Sequence, residues 1–122
     1  MVNRRFFRRE AIRANGEFIW ATKSRLGRVS TNREFITTEN VSIDGAKIVI
    51  KGAHQFPERS RGRVKFGLEF CDVEILEASP GAGNSTELRL LFLSPSARFV
   101  RIIEKWLNVE TDDRQDFESV WT

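Results

Sequence analysis

The order of apolar and polar positions predicts a chain built mainly of short strands. Glu17-Phe18-Ile19-Trp20-Ala21-Thr22-Lys23 is rich in β-formers and predicts a first strand. Residues 34–38 alternate weakly and predict a second, which a turn over residues 40–45 interrupts. Residues 46–50 resume as a strand with Ala46, Ile48 and Ile50 on one face. Residues 63–70 alternate clearly and predict one strand, with Val64, Phe66, Leu68 and Phe70 on a single face. Residues 73–78 and 87–93 complete the set. Between them, residues 24–32 read as a turn or hairpin loop around Gly27, and residues 51–62 as a loop. Residues 79–84, Ser-Pro-Gly-Ala-Gly-Asn, give the strongest turn signal in the chain.

After residue 93 the period changes. Ser94 suits an N-cap and Pro95 a first helical position. Phe99, Ile102, Ile103, Trp106 and Leu107 then recur at i, i+3, i+4, i+7 and i+8, one face of a helix that Asn108 is expected to end. The fold class that follows is mainly β: a small six-stranded antiparallel barrel with a C-terminal amphipathic helix. Residues 1–15 hold neither period and read as an extended arm. Residues 110–122 are polar, so the expected division is a domain over residues 1–109 and an acidic tail over 110–122.

Composition narrows the chemistry. At 122 residues, with ten Phe and three Trp, the chain is one domain able to bury a core. Its one cysteine, Cys71, excludes an internal disulfide and follows the strand-like Leu68-Glu69-Phe70, the setting of a buried thiol. A catalytic thiol wants a histidine, and His54 is the only one, which also argues against a zinc site. Asp44, Asp72 and Glu74 fall on strand or turn surfaces, where solvated carboxylates are the plain reading. No nucleophile–base set emerges, so an enzyme is not expected, nor is a cofactor. Trp20 and Trp106 read as core; Trp121, in the polar tail, is expected to be exposed, either as a partner anchor or as part of a disordered segment. No apolar run is long enough to span a bilayer, and no apolar region follows the basic N-terminus, so a cytoplasmic protein is expected.

The net charge of +3 is unevenly spread. Residues 1–33 carry nine Arg or Lys against two Glu, and residues 110–122 carry five acids against one Arg. The basic part calls for an anionic ligand or surface. Its densest stretch is Arg4-Arg5-Phe6-Phe7-Arg8-Arg9. A guanidinium gives paired hydrogen bonds to phosphate or to the O6/N7 edge of guanine. By itself this run also suits a solvated arm, or one that binds nucleic acid without specificity. The second stretch is Asn40-Val41-Ser42-Ile43-Asp44-Gly45. By itself it also suits a tight turn or bulge with Gly45 supplying a positive φ.

Taken in order, the two stretches resemble the RxxxR and D/NxSxxG pair of the PilZ domain, the bacterial receptor module for cyclic di-GMP. Arg4 and Arg8 fit the first motif, as do Arg5 and Arg9 one position on. Family members commonly show an arginine, a second arginine, two bulky residues and an arginine, which favours Arg4 and Arg8. Asn40, Ser42 and Gly45 fit the second motif, with Asn rather than Asp at its first position. Arg9 departs from the family, where an apolar residue is frequent, and residues 51–62 and the tail have no family meaning. The resemblance covers residues 3–107. It implies a cyclic di-GMP site made of Arg4, Arg5, Arg8, Arg9, Asn40, Ser42 and Gly45, with Gly45 letting a base come close. Ligand binding would order the arm and signal to a protein partner that the sequence does not name. One alternative is a PilZ-like interaction module that binds no nucleotide, which the intact motif pair argues against. Another is a basic nucleic-acid-binding barrel, which predicts a groove lined by exposed aromatics and a steep salt dependence.

Overall fold

The computed structural model describes the backbone of residues 12–115 and the side chains of residues 12–107. Six strands run in order: β1 (Asn15–Lys23), β2 (Val29–Val41), β3 (Gly45–Lys51), β4 (Arg61–Phe66), β5 (Glu69–Pro80) and β6 (Ser85–Leu93). One helix follows, α1 (Ala97–Gln115). The strands close into an antiparallel barrel in the order β1-β2-β3-β6-β5-β4. Closure removes the sheet edges that an open sheet of this length would expose. The expected barrel and helix are therefore present, with β1, β2, β5 and β6 longer than the periodicity alone predicts; β2 takes in residues 29–32, so the expected loop over residues 24–32 shrinks to 24–28.

Alternation fills the inside. Phe18, Ile48, Ile50, Val64, Leu88 and Leu90 are buried, and Trp20 stacks on Phe18 with ring centroids 5.1 Å apart. Each end is plugged by aromatic side chains. At one end α1 lowers Phe99 between Phe66 and Phe92, with centroids 5.6 and 5.0 Å away, and Trp106 meets Phe66 edge-on. Full burial of a ring such as Phe99 is worth about 2–3 kcal/mol. At the other end the loop after β3 brings His54 and Phe56 against Trp20, and the His54 amide donates to Thr86 Oγ1 at 3.0 Å.

Three expectations need correction. Residues 63–70 are two strands, not one. Phe66 pairs with Glu69 across a two-residue turn at Gly67 and Leu68, and Gly67 has φ +63. A two-residue turn inverts parity: even positions face inward before it, odd positions after it. Leu68 is thus 85% exposed at the turn and Phe70 44% exposed outside, while Cys71 and Val73 go in. The helix cap is Ser96, whose Oγ accepts from the Phe99 amide at 3.1 Å, and not Ser94, which has φ 46 where the chain leaves β6. Finally, α1 continues past Asn108 to Gln115, so part of the expected tail is helical. Among the described residues no helix is long and apolar enough to cross a membrane.

Candidate functional site

Antiparallel order puts the start of β1, the end of β2, the start of β3 and the end of β6 at the helix-capped end of the barrel. The turn between β2 and β3 lies there. Its position depends on a β-bulge. Thr38 pairs with Ile48 but Asn40 pairs with Lys47, so Glu39 is an extra residue in β2. Without it, Asn40 would share the inward face of Thr38. With it, Asn40 moves to the outer face beside Lys47, and Val41 turns inward opposite Ala46, both fully buried. Lys47 is held by Glu87 at 3.3 Å and Glu39 at 3.8 Å, a half-exposed ion-pair cluster beside Asn40.

Beyond the bulge the chain turns tightly. The Ser42 amide donates to the Gly45 carbonyl at 2.8 Å, and the Phe92 amide donates to the Asp44 carbonyl at 2.8 Å. Ser42 is fully buried, and its hydroxyl donates to Asp44 Oδ1. Asp44 therefore serves the turn rather than standing as a free surface carboxylate. Gly45 does not need a positive φ: it is absent from the left-handed glycines, which are Gly27, Gly52, Gly67 and Gly83. It needs closeness instead. A Cβ there would stand 2.1 Å from the Leu90 carbonyl oxygen of the neighbouring strand. The bare backbone expected to admit a base is thus already faced by β6.

The chain enters β1 from the same end. Arg4, Arg5, Arg8 and Arg9 lie outside the described residues, as do Trp121 and the last part of the acidic tail. The chain that follows the run is fixed, however. Ile12 and Ala14 are buried, and Thr38 clamps both. The Thr38 hydroxyl donates to the Ile12 carbonyl and accepts from the Ala14 amide at 2.9 Å, while the Thr38 amide donates to the Ala14 carbonyl at 2.9 Å. The expected arm over residues 1–15 therefore ends earlier: residues 12–14 are docked and Asn15 already belongs to β1. Thr38 is two residues from Asn40. Sequence reasoning missed this clamp, since a threonine in a strand is ordinary and only its burial reveals the role.

Along the outer face of β2, next to the docked segment, lies a cleft of about 480 Å³, lined in part by Asn15, Phe35, Thr37 and Lys65. Thr37 donates to Asn15 Oδ1 at 3.1 Å on its floor, and Phe35 stands open to solvent. An exposed ring beside a lysine offers a stacking face and a counter-charge to a purine nucleotide. No acid–base pair converges here. Cys71 is buried, and desolvation, with Asp72 adding to it, pushes its thiol above the ordinary range. Among the described residues no group of three or more His, Cys, Asp or Glu side chains could hold a metal.

No known sequence family matches the chain, and no curated protein matches it by sequence. Solved structures do resemble it. YcgR from Escherichia coli, solved in complex with c-di-GMP, superposes with TM-score 0.59 at 17% identity. The match covers 96% of this chain and 50% of that one, so this chain spans half the length of that protein. The isolated PilZ domain of YcgR with c-di-GMP gives TM-score 0.57 at 20% identity, covering 94% of this chain and 98% of that one. PlzA from Borreliella burgdorferi, in complex with c-di-GMP, gives 0.54 at 19%, covering 86% and 48%. With the closed six-strand barrel, the single C-terminal helix and the turn between β2 and β3 already in place, these likenesses make the chain a PilZ-like domain in fold.

Proposed function

We propose that this domain is a non-enzymatic receptor for cyclic di-GMP, bound between the arginine run and the outer face at the turn between β2 and β3. The observation that carries the proposal is the Thr38 clamp. Four residues of chain reach at most about 14 Å, so Arg8 cannot stray farther than that from Ile12. Ile12 is held by Thr38, and Asn40 stands two residues further along β2. One compact ligand with two phosphates and two guanines spans that interval. Solved PilZ domains of the same fold carrying c-di-GMP support the choice of ligand.

In this reading Arg4 and Arg8 take phosphate oxygens or guanine O6/N7, with Arg5 and Arg9 close by. Asn40, re-aimed outward by the bulge, hydrogen-bonds a guanine edge. Ser42 and Gly45 act mainly by building the turn: one holds Asp44, the other lets β3 lie against β6. Binding neutralises the like charges of residues 4–9 and orders them against the barrel, and the reshaped surface is what a protein partner reads. The domain is read as residues 1–109, with the acidic residues after it continuing α1 as far as Gln115.

Calorimetric titration of the whole chain with cyclic di-GMP tests the proposal, with GTP and a short oligonucleotide as controls. Micromolar or tighter binding of cyclic di-GMP alone is expected. Oligonucleotide binding with a steep salt dependence and no response to cyclic di-GMP would favour the basic nucleic-acid-binding barrel instead.

A further inference from the structure

At the opposite end of the barrel from the turn between β2 and β3, one element stands apart. Pairing of β1 with β4 ends at Trp20, and pairing of β2 with β3 begins only at Thr38. Residues 21–23 and 29–31 therefore pair as strands only with each other, as a two-stranded ribbon reaching roughly 10 Å past the barrel. Every residue from 21 to 31 is exposed. The tip is nonetheless well built. The Gly27 amide donates to the Ser24 carbonyl at 3.0 Å, the Ser24 amide to the Arg28 carbonyl at 2.8 Å, and the Arg28 amide to Ser24 Oγ at 3.1 Å. Gly27 takes φ +85 to close it.

What this prong presents is unusual for a loop. Leu26 is 90% exposed at the tip and Val29 68% exposed beside it. Around them stand Lys23, Arg25 and Arg28, none in an ion pair with a described residue. Between Glu17 and Glu34 the chain has no acid, and Arg33, the fourth cation, is already paired with Glu17 at 3.2 Å. Turn chemistry alone would favour polar residues at such a tip.

We propose that the hairpin between β1 and β2 is a prong that docks the barrel on an anionic lipid surface. Leu26 and Val29 enter the headgroup region, and Lys23, Arg25 and Arg28 lie among the lipid phosphates. The amides of Ser24, Leu26, Gly27 and Arg28 are bonded within the tip, which lowers the cost of bringing its backbone into the headgroup region. A nucleic-acid backbone would be served by the cations but would gain nothing from Leu26, and residues 21–31 hold no aromatic on which bases stack. A protein partner needs an area that a seven-residue convex tip does not supply. A bilayer needs neither shape complementarity nor area, only charge and a few apolar groups. The attachment is reversible and sensitive to salt.

Co-sedimentation of the whole chain with phosphatidylglycerol-rich vesicles, against pure phosphatidylcholine vesicles, tests this. Binding to the anionic vesicles alone is expected. Replacing Lys23, Arg25 and Arg28 together by Gln should weaken it roughly a hundredfold, about fivefold per cation. Leu26→Ser should weaken it about tenfold with the charges intact. Melting temperatures should match wild type, since every changed residue is exposed. A polarity-sensitive dye on Leu26→Cys should shift to the blue with anionic vesicles, and Cys71, being buried, should stay unlabelled. Equal vesicle binding by the triple variant and wild type would mean that the arginine run alone carries adhesion, and would overturn the proposal. So would failure of the wild type to bind anionic vesicles. Loss of duplex DNA binding in the triple variant with vesicle binding unchanged would assign the prong to nucleic acid and likewise overturn it.

Discussion

At Gly45 the spacing between two strands depends on a missing methyl group. A Cβ 2.1 Å from the Leu90 oxygen has backbone as its neighbour, which cannot rotate away. Gly45→Ala should therefore lower stability by about 3 kcal/mol or more, read as a denaturation midpoint without ligand. An unchanged midpoint would show that β3 can shift from β6 at no cost. Cys71 gives a second residue-scale test. Its folded-state thiol is raised by burial, so as pH climbs the unfolded chain loses its proton first. Stability contributed by the neutral thiol is full below the unfolded thiol's pKa and falls as pH rises toward the folded one. Wild type should lose more stability than Cys71→Ala between neutral and alkaline pH. Parallel losses would remove Cys71 from the account. Alternation grouped Ala46, Ile48 and Ile50 on one face but left open which face is inward. Cys71 was expected to be buried as a lone thiol, although the alternation drawn through Phe70 would have turned it outward. Thr38 and Ser42 were not legible as buried groups. Nothing in their side chains distinguishes a clamp or a turn strut from an ordinary strand polar residue until the partners, Ile12, Ala14 and Asp44, are seen.

Elements were read well where period and ends agreed, and misread where a short turn preserved the look of a strand. The run from Val64 to Phe70 keeps its alternation through Gly67, and only pairing shows that the inward phase has switched. The bulge at Glu39 leaves no compositional trace either, yet it decides that Asn40 faces outward. At the start of α1 two serines compete for one role. Ser94 and Ser96 both precede a plausible first turn, and the Phe99 amide chooses Ser96. Ser96→Ala should cost about 1 kcal/mol. Ser94→Gly should leave stability unchanged or raise it by under about 1 kcal/mol, because a left-handed residue loses its Cβ strain there. Thermal denaturation of the two variants gives the order, and the opposite ranking would return the cap to Ser94.

Across the whole molecule the two ends of the barrel hold different things. The helix-capped end gathers the Thr38 clamp, the turn before Gly45 and the chain leading back to the arginines. The other end carries the basic hairpin and the loop that covers Trp20. The clamp also sharpens what ligand binding can change. The Ala14 amide already donates to Thr38, so hydrogen exchange at Ala14 should be slow with or without cyclic di-GMP. Protection should rise at residues 4–11 and 40–45, and hardly at all over residues 98–107. Full protection of residues 4–11 before ligand is added would mean that the signal comes from charge or surface change rather than from ordering of the arm. The clamp of Thr38 on Ile12 and Ala14, two residues along β2 from Asn40, was not legible in the sequence.

The central claim is that the arginine run and the outer face at Asn40 bind one ligand together. Titration of cyclic di-GMP into wild type, Arg4→Ala, Arg8→Ala and Asn40→Ala measures it most directly. Each arginine variant should bind about five- to a hundredfold more weakly, the worth of one bidentate guanine pair, with Asn40→Ala also weakened and all melting temperatures near wild type. Wild-type affinity in all three variants, or no binding by the wild type itself, would contradict the account.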